Sequence, residues 1–153
     1  MEKIKKKIIE LIASCFYVGY IPGAPGTYGS LFALIFISQS SNLTKNYSIL
    51  IFIVIGLIFS TLMEKQTGKE DDQRIVIDEF VGMLITFYYV SPNLLYLGIG
   101  FILFRLYDIY KPYPIMKVQN LPSGLGIMLD DIIAGVYARV VLHIFIVILQ
   151  IGF

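Results

Sequence analysis

Seven ionisable residues stand out in a largely apolar chain: Asp78 and Glu79, Arg105 and Asp108, Lys111, and the pair Asp130 and Asp131. Carboxylates sharing one neighbourhood oppose each other's ionisation unless positive charge lies between them. A hard divalent cation with oxygen ligands is the natural partner, and Mg²⁺ commonly combines carboxylates with phosphate oxygens. Arg105 and Lys111 would hold the phosphate, arginine through a planar two-pronged contact. Gly26, Thr27, Gly29 and Ser30 make a small-residue turn opening a helix. Free backbone N–H groups at such a start suit an anion, which makes Gly26, Thr27 and Ser30 candidate substrate contacts. The set points to phosphoryl chemistry, with a metal to activate water and neutralise phosphate charge, and it requires no covalent intermediate.

Each group also has a plainer reading. Asp78 and Glu79 suit the first turn of any helix. Arg105 and Asp108 are three apart and can pair on one helical face. Asp130 and Asp131 could cap the last helix, and capping is compatible with metal binding. Pro112 and Pro114 could merely end a helix. Gly98, Gly100 and Gly135 suit close helix packing. Cys15 reads as a small buried hydrophobe, and His143 as a lone hydrogen-bonded residue inside the apolar region. Arg139 is costly inside an apolar segment unless paired. It is expected either to neutralise part of the acidic cluster or to reach a lipid headgroup.

The elements that must position these residues are membrane-like. The 153 residues are 57% hydrophobic and only 15% charged, with a mean hydropathy of +0.77. Soluble domains are nearer half apolar and a quarter charged, and a chain of this length cannot bury the excess. A net charge of +1 gives no basic footprint for nucleic acid. A single cysteine excludes a disulfide framework and a cysteine metal site. Ile21, six residues after Cys15, excludes the Cys-x5-Arg phosphatase pattern.

Apolar stretches occupy 8–21 and 28–37, interrupted by Pro22-Gly23-Ala24-Pro25-Gly26, then 48–63, 75–90, 94–110 and 131–151. Neither half of the first element reaches the roughly 20 residues of a membrane span, so it is expected to be broken or re-entrant and to line a cavity. The segment 64–74 carries seven charges in eleven residues and reads as a solvated loop. The lysine-rich start, Lys3, Lys5, Lys6 and Lys7, reads as an uncleaved cytoplasmic anchor. The expected fold is all-α: one domain over 1–153, a polytopic membrane bundle of four to five segments. Threading from a cytoplasmic N-terminus puts all seven ionisable residues at one membrane face.

Four blocks then carry a family resemblance: Pro22-Gly23-Ala24-Pro25-Gly26-Thr27-Tyr28-Gly29-Ser30-Leu31, the stretch from Ile77 through Asp78 and Glu79 to Met83, that from Phe104 through Arg105, Asp108 and Lys111 to Ile115, and that from Gly124 through Asp130 and Asp131 to Gly135. In order and spacing they resemble the bacterial phosphatidylglycerophosphatase A family, over roughly residues 19–142. The resemblance implies a Mg²⁺-dependent lipid phosphatase of the bacterial inner membrane, acting at the cytoplasmic leaflet on phosphatidylglycerophosphate. It implies Asp78, Glu79, Asp108, Asp130 and Asp131 as the catalytic and metal-binding acids, and Thr27, Arg105 and Lys111 as phosphate contacts.

The nearest rival pattern is that of the CDP-alcohol phosphotransferases. Asp131, Gly135, Ala138 and Arg139 fit part of it, but Ala134 occupies the place of the second aspartate. Pro122-Ser123-Gly124 lacks the histidine of membrane acid phosphatases, since Leu125 follows. Activity on phosphatidic or lysophosphatidic acid, or a non-enzymatic ion or anion transporter, remain the alternatives. Against transport, the charges gather at one face and do not extend through the bilayer.

Overall fold

Proline and glycine decide where the helices break. A computed structural model describes residues 2–151, which form seven α-helices and, among the described residues, no strand: α1 (Glu2–Ala13), α2 (Pro25–Gln39), α3 (Asn42–Thr67), α4 (Ile77–Thr86), α5 (Leu94–Tyr110), α6 (Ile115–Val118) and α7 (Gly124–Ile151). The first element is broken, as its glycine-proline run predicts. Pro25 opens α2 in its first turn, where the missing N–H costs nothing. Between α1 and α2 the chain turns through Cys15, Phe16 and Tyr17, all at positive φ, into a 3-10 turn at Val18–Tyr20. Cys15 is buried, as expected.

Caps set the longer helices. The Ser41 hydroxyl accepts the Thr44 N–H at 3.1 Å to start α3, and Gly68 ends it in the left-handed conformation. Asn93 caps α5 by accepting the Tyr96 N–H at 2.8 Å, in the turn expected there.

α3 and α7 run antiparallel: Gly56 faces Met128, and Gly124 faces Thr61. They have 26 and 28 residues, and only 17% and 22% of their most apolar 18-residue windows are buried. The core helix of a soluble protein would be mostly covered. Length and composition let these two cross a membrane, and their uncovered apolar faces mark an interaction surface.

The stretch 75–90 behaves differently. Its helix, α4, has ten residues, about 15 Å at 1.5 Å per residue, half the roughly 30 Å hydrocarbon core. Ile77, Phe80, Val81, Met83 and Leu84 are all buried, so α4 is the bundle's central helix. It lies closest to α7. A Cβ on Gly82 would stand 2.8 Å from the Asp131 carbonyl oxygen, and one on Gly135 would stand 2.4 Å from that of Gly82. Gly135 thus has the packing role expected of it. So does Gly100, against the Phe87 ring, whereas Gly98 meets nothing within 4 Å.

The last helix starts earlier than its sequence suggests. α7 begins at Gly124, so Asp130 and Asp131 lie two turns inside it and do not cap it. Gly124 and Gly126 read as loop punctuation, but here they let the helix start press against Thr61 and against the carbonyls of Gln119 and Leu121.

Candidate active site

Three helices and a loop meet at one end of the bundle. α4 contributes Asp78 and Glu79 from its first turn, and α7 contributes Asp130 and Asp131. The end of α5 contributes Arg105 and Asp108, and Lys111 follows as its left-handed cap. Each buried acid at the α4–α7 crossing stands one turn before a glycine: Asp78 before Gly82, and Asp131 before Gly135. The close glycine contact therefore brings the two carboxylates together. All seven ionisable residues line one cavity of about 280 Å³.

The cluster divides in two. One oxygen each from Asp78, Glu79 and Asp131 lies within 4.8 Å of the others. Asp78 Oδ1 and Glu79 Oε2 are buried without a hydrogen-bond partner. Asp108 and Asp130 instead hold cations: Arg105 Nη1 donates to Asp108 Oδ2 at 2.5 Å, and Lys111 Nζ to Asp130 Oδ2 at 2.6 Å. Asp130 Oδ1 also accepts the Asp131 N–H at 3.0 Å. Burial opposes the charge on Lys111, but the hydrogen bond and charge of Asp130 outweigh it and raise its pKa. The intrahelical pair read for Arg105 and Asp108 therefore exists, within the cluster. One of the five donors of Arg105 and one of the three of Lys111 serve these pairs, leaving the rest for an anion.

Gly26 is essential to this packing. A Cβ there would stand 2.2 Å from Glu79 Oε1 and 3.2 Å from Arg105 Nη1. The cavity wall runs through Gly23, Ala24, Pro25 and Gly26 but includes neither Thr27 nor Ser30. Ser30 is buried and donates to the Gly26 carbonyl at 2.8 Å, so its hydroxyl hydrogen is taken up within the helix. Thr27, the next residue along the helix from Gly26, is half-buried. Arg139 is also elsewhere: its Nε donates to the Tyr88 carbonyl at 2.6 Å, beyond the other end of α4. Two turns along α7 from Asp131, it neither neutralises the cluster nor faces the cavity. His143 lies on the exposed surface of α7, outside the site.

Asp71 and Gln73 also line the cavity, from the stretch read as a solvated loop. Its dense charge was the available signal. That loop is tied down by Arg74, which donates to Asp72 through Nε at 2.9 Å and stacks on the Tyr20 ring, 5.3 Å from its centroid. A larger cleft of about 600 Å³ adjoins, sharing Asp71 and Asp130 and walled by Gln119, Asn120 and Ser123.

Three convergent acids, two of them with a bare buried oxygen, faced by an arginine and a lysine, suit phosphate chemistry in a helical protein with membrane-length apolar helices. The chain belongs to the phosphatidylglycerophosphatase A family, whose model matches residues 11–146, and it is therefore a phosphatase. Phosphatidylglycerophosphatase A of Escherichia coli is 38% identical to it, over 87% of this chain and 80% of its own. The enzyme of that name from Haemophilus influenzae is 38% identical, over 87% and 85%. A Bacteroides thetaiotaomicron protein with the provisional name phosphatidylinositol-3-phosphatase is 35% identical, over 88% and 91%. No solved structure matches the chain.

Proposed function

We propose that this protein hydrolyses the terminal phosphomonoester of phosphatidylglycerophosphate, giving phosphatidylglycerol and phosphate, with Mg²⁺ as cofactor, at the cytoplasmic face of the bacterial inner membrane. One observation carries the reading: three carboxylates converge within 4.8 Å while two of their buried oxygens have no partner. Such a donor set fits a hard cation, because like charges left bare in a buried site are costly. Asp78, Glu79 and Asp131 would hold the Mg²⁺. When bound it would neutralise charge on the phosphoryl oxygens and lower the pKa of water.

The chain's own residues do the rest. Arg105 and Lys111 bind the phosphate oxygens, and Asp108 and Asp130 hold those two cations in place. A carboxylate of the cluster accepts the proton of the attacking water, and the glycerol oxygen leaves. Lysines at the N-terminus favour the cytoplasmic orientation, and the apolar faces of α3 and α7 support a multi-pass arrangement.

A second reading rests on the Bacteroides relative and on the adjoining cleft, which has room for a headgroup larger than phosphoglycerol. In that reading the same site acts on another phosphomonoester lipid. Phosphate release from phosphatidylglycerophosphate, phosphatidylinositol 3-phosphate and phosphatidic acid in mixed micelles separates the two. The assay is run with Mg²⁺ and with EDTA, for wild type and Asp131→Asn. The proposal expects Mg²⁺-dependent release, greatest with phosphatidylglycerophosphate and lost in the variant. A preference for another lipid would overturn the substrate, and undiminished release in EDTA would overturn the metal.

A further inference from the structure

The N-terminal helix has no part in the chemistry, and its surface is unusual. α1 has twelve residues, about 18 Å at 1.5 Å per residue, too short for a bilayer core of about 30 Å. Its inner edge is settled. Ile9 and Ile12 pack against the core, Ala13 is buried, and Gln66 near the end of α3 donates to Glu10 Oε1 at 3.0 Å. That docking places α1 at the same end of the bundle as the acidic cavity.

Its outer edge is left open. Ile4 and Ile8, one turn apart, are 64% and 46% exposed. Lys3, Lys6 and Lys7 are exposed beside them, on the arc of the helix away from the isoleucines. Lys5 falls within the apolar arc, where its long stem can lie along apolar surface while its ammonium reaches polar groups. A short helix with an open apolar edge and a cationic face fits the boundary between headgroups and acyl chains.

We propose that α1 lies in the plane of an anionic lipid leaflet, the one that faces the acidic cavity. Ile4 and Ile8 enter the acyl boundary, and Lys3, Lys6 and Lys7 sit on lipid phosphates. Charge complementarity selects this occupant, since neutral lipid would leave the lysines without counter-charge. The arrangement has a consequence for the site. A cavity rich in carboxylates repels anionic lipid, and a cationic strip at the same end restores a local supply of it.

The chain contains no tryptophan, so Ile4→Trp in the full-length protein gives a single indole reporter. The protein is reconstituted in vesicles of phosphatidylcholine and phosphatidylglycerol whose acyl chains carry bromine at defined depths. Strongest quenching by bromine near the headgroups is expected, shifting the emission to the blue. Adding Lys3→Gln, Lys6→Gln and Lys7→Gln should weaken that quenching. It should also raise the apparent KM for an anionic phosphomonoester lipid about fivefold or more, with kcat unchanged, as loss of surface attraction requires. Water-like emission without quenching would overturn the proposal. So would maximal quenching at the chain ends, which means a spanning helix, or blue-shifted emission that no lipid quenches, which means a protein-covered face. The quenching measurement needs no turnover, so its outcome is independent of the phosphatase reading.

Discussion

The two ends of α4 are built from similar means and put to different use. At its start, Asp78 and Glu79 face Asp131. Beyond its end, Lys45 Nζ donates to the Val90 carbonyl at 2.5 Å, and Arg139 Nε to the Tyr88 carbonyl at 2.6 Å. Acids at the start and cations at the end both complement the helix dipole. The difference lies in what is left over. At the far end both cations have backbone partners, and the turn after α4 is closed by the protein itself. At the near end the bare oxygens belong to the carboxyls of Asp78 and Glu79, which crowd against a third acid, Asp131. Two neutral amide atoms, Asn42 Oδ1 and Asn46 Nδ2, are also bare at the far end, but a neutral group costs much less to bury than an ion. One end of the helix completes the fold, and the other leaves its completion to a ligand.

The sharpest break between the ends comes from Asp131→Asn. Removal of a charge from the reacting centre is expected to lower kcat by about a thousandfold, the scale of a lost electrostatic stabiliser. The same change relieves repulsion, so in EDTA the variant should melt at or above the wild-type temperature. A variant that loses activity and melts lower would mean that Asp131 serves the fold as the far end does. Gly26→Ala tests the same end without touching a charge. The added methyl displaces Glu79 or Arg105, and a misplacement of about 1 Å can cost on the order of a hundredfold in rate. Steady-state phosphate release at saturating Mg²⁺ measures it, and a rate near wild type would show that the cavity tolerates the shift.

Much of the near end was legible in the sequence, and little of the far end. Charged residues in apolar surroundings announce themselves, so Asp78, Glu79, Arg105, Asp108, Lys111, Asp130 and Asp131 could be collected from spacing alone. Of the two ion pairs within the set, Arg105 with Asp108 could be read from its spacing, but Lys111 with Asp130 could not, because it depends on how α5 and α7 are rotated. Thr27 and Ser30 were grouped with Gly26 because a small-residue turn looks alike on every side, whereas of the three only Gly26 lines the cavity. Arg139 was assigned by its cost in an apolar segment, which calls for a partner but does not say that the partner is a backbone carbonyl. Lys45 gave no signal, since a lysine near a helix start normally reads as exposed. The extent of α4 and α7 was blurred for another reason: glycines at helix crossings look the same as glycines in loops.

Lys45→Met probes the far end. The change keeps the apolar stem and removes the ammonium, leaving the Val90 carbonyl buried without its donor. An unpaired buried acceptor costs about 1–3 kcal/mol, so thermal or denaturant unfolding in detergent should shift by that amount. The kcat per folded molecule should stay at the wild-type value. A loss of turnover without a loss of stability would show that the two ends are coupled through α4.

The smallest expected effect lies in the loop that approaches the near end. Arg74 donates to Asp72 through Nε and Nη2, and this hydrogen bond holds the Asp72 carboxyl below its ordinary value of 3.8. The folded protein thus keeps Asp72 ionised at a pH where the unfolded chain takes up a proton. The stabilisation is complete above the unfolded pKa and disappears as pH falls through the lower folded value. Wild type should therefore be more stable than Asp72→Asn near neutral pH, and the two should converge as pH falls through the lowered folded value. Arg74 is 35% exposed, so solvent screening keeps the difference small. The loop carries Asp71 and Gln73 to the cavity, and its loosening should lower turnover by no more than a few fold. Acid titrations of unfolding for the two proteins decide the point: parallel curves that never converge would show that Asp72 stabilises the loop by something other than its charge.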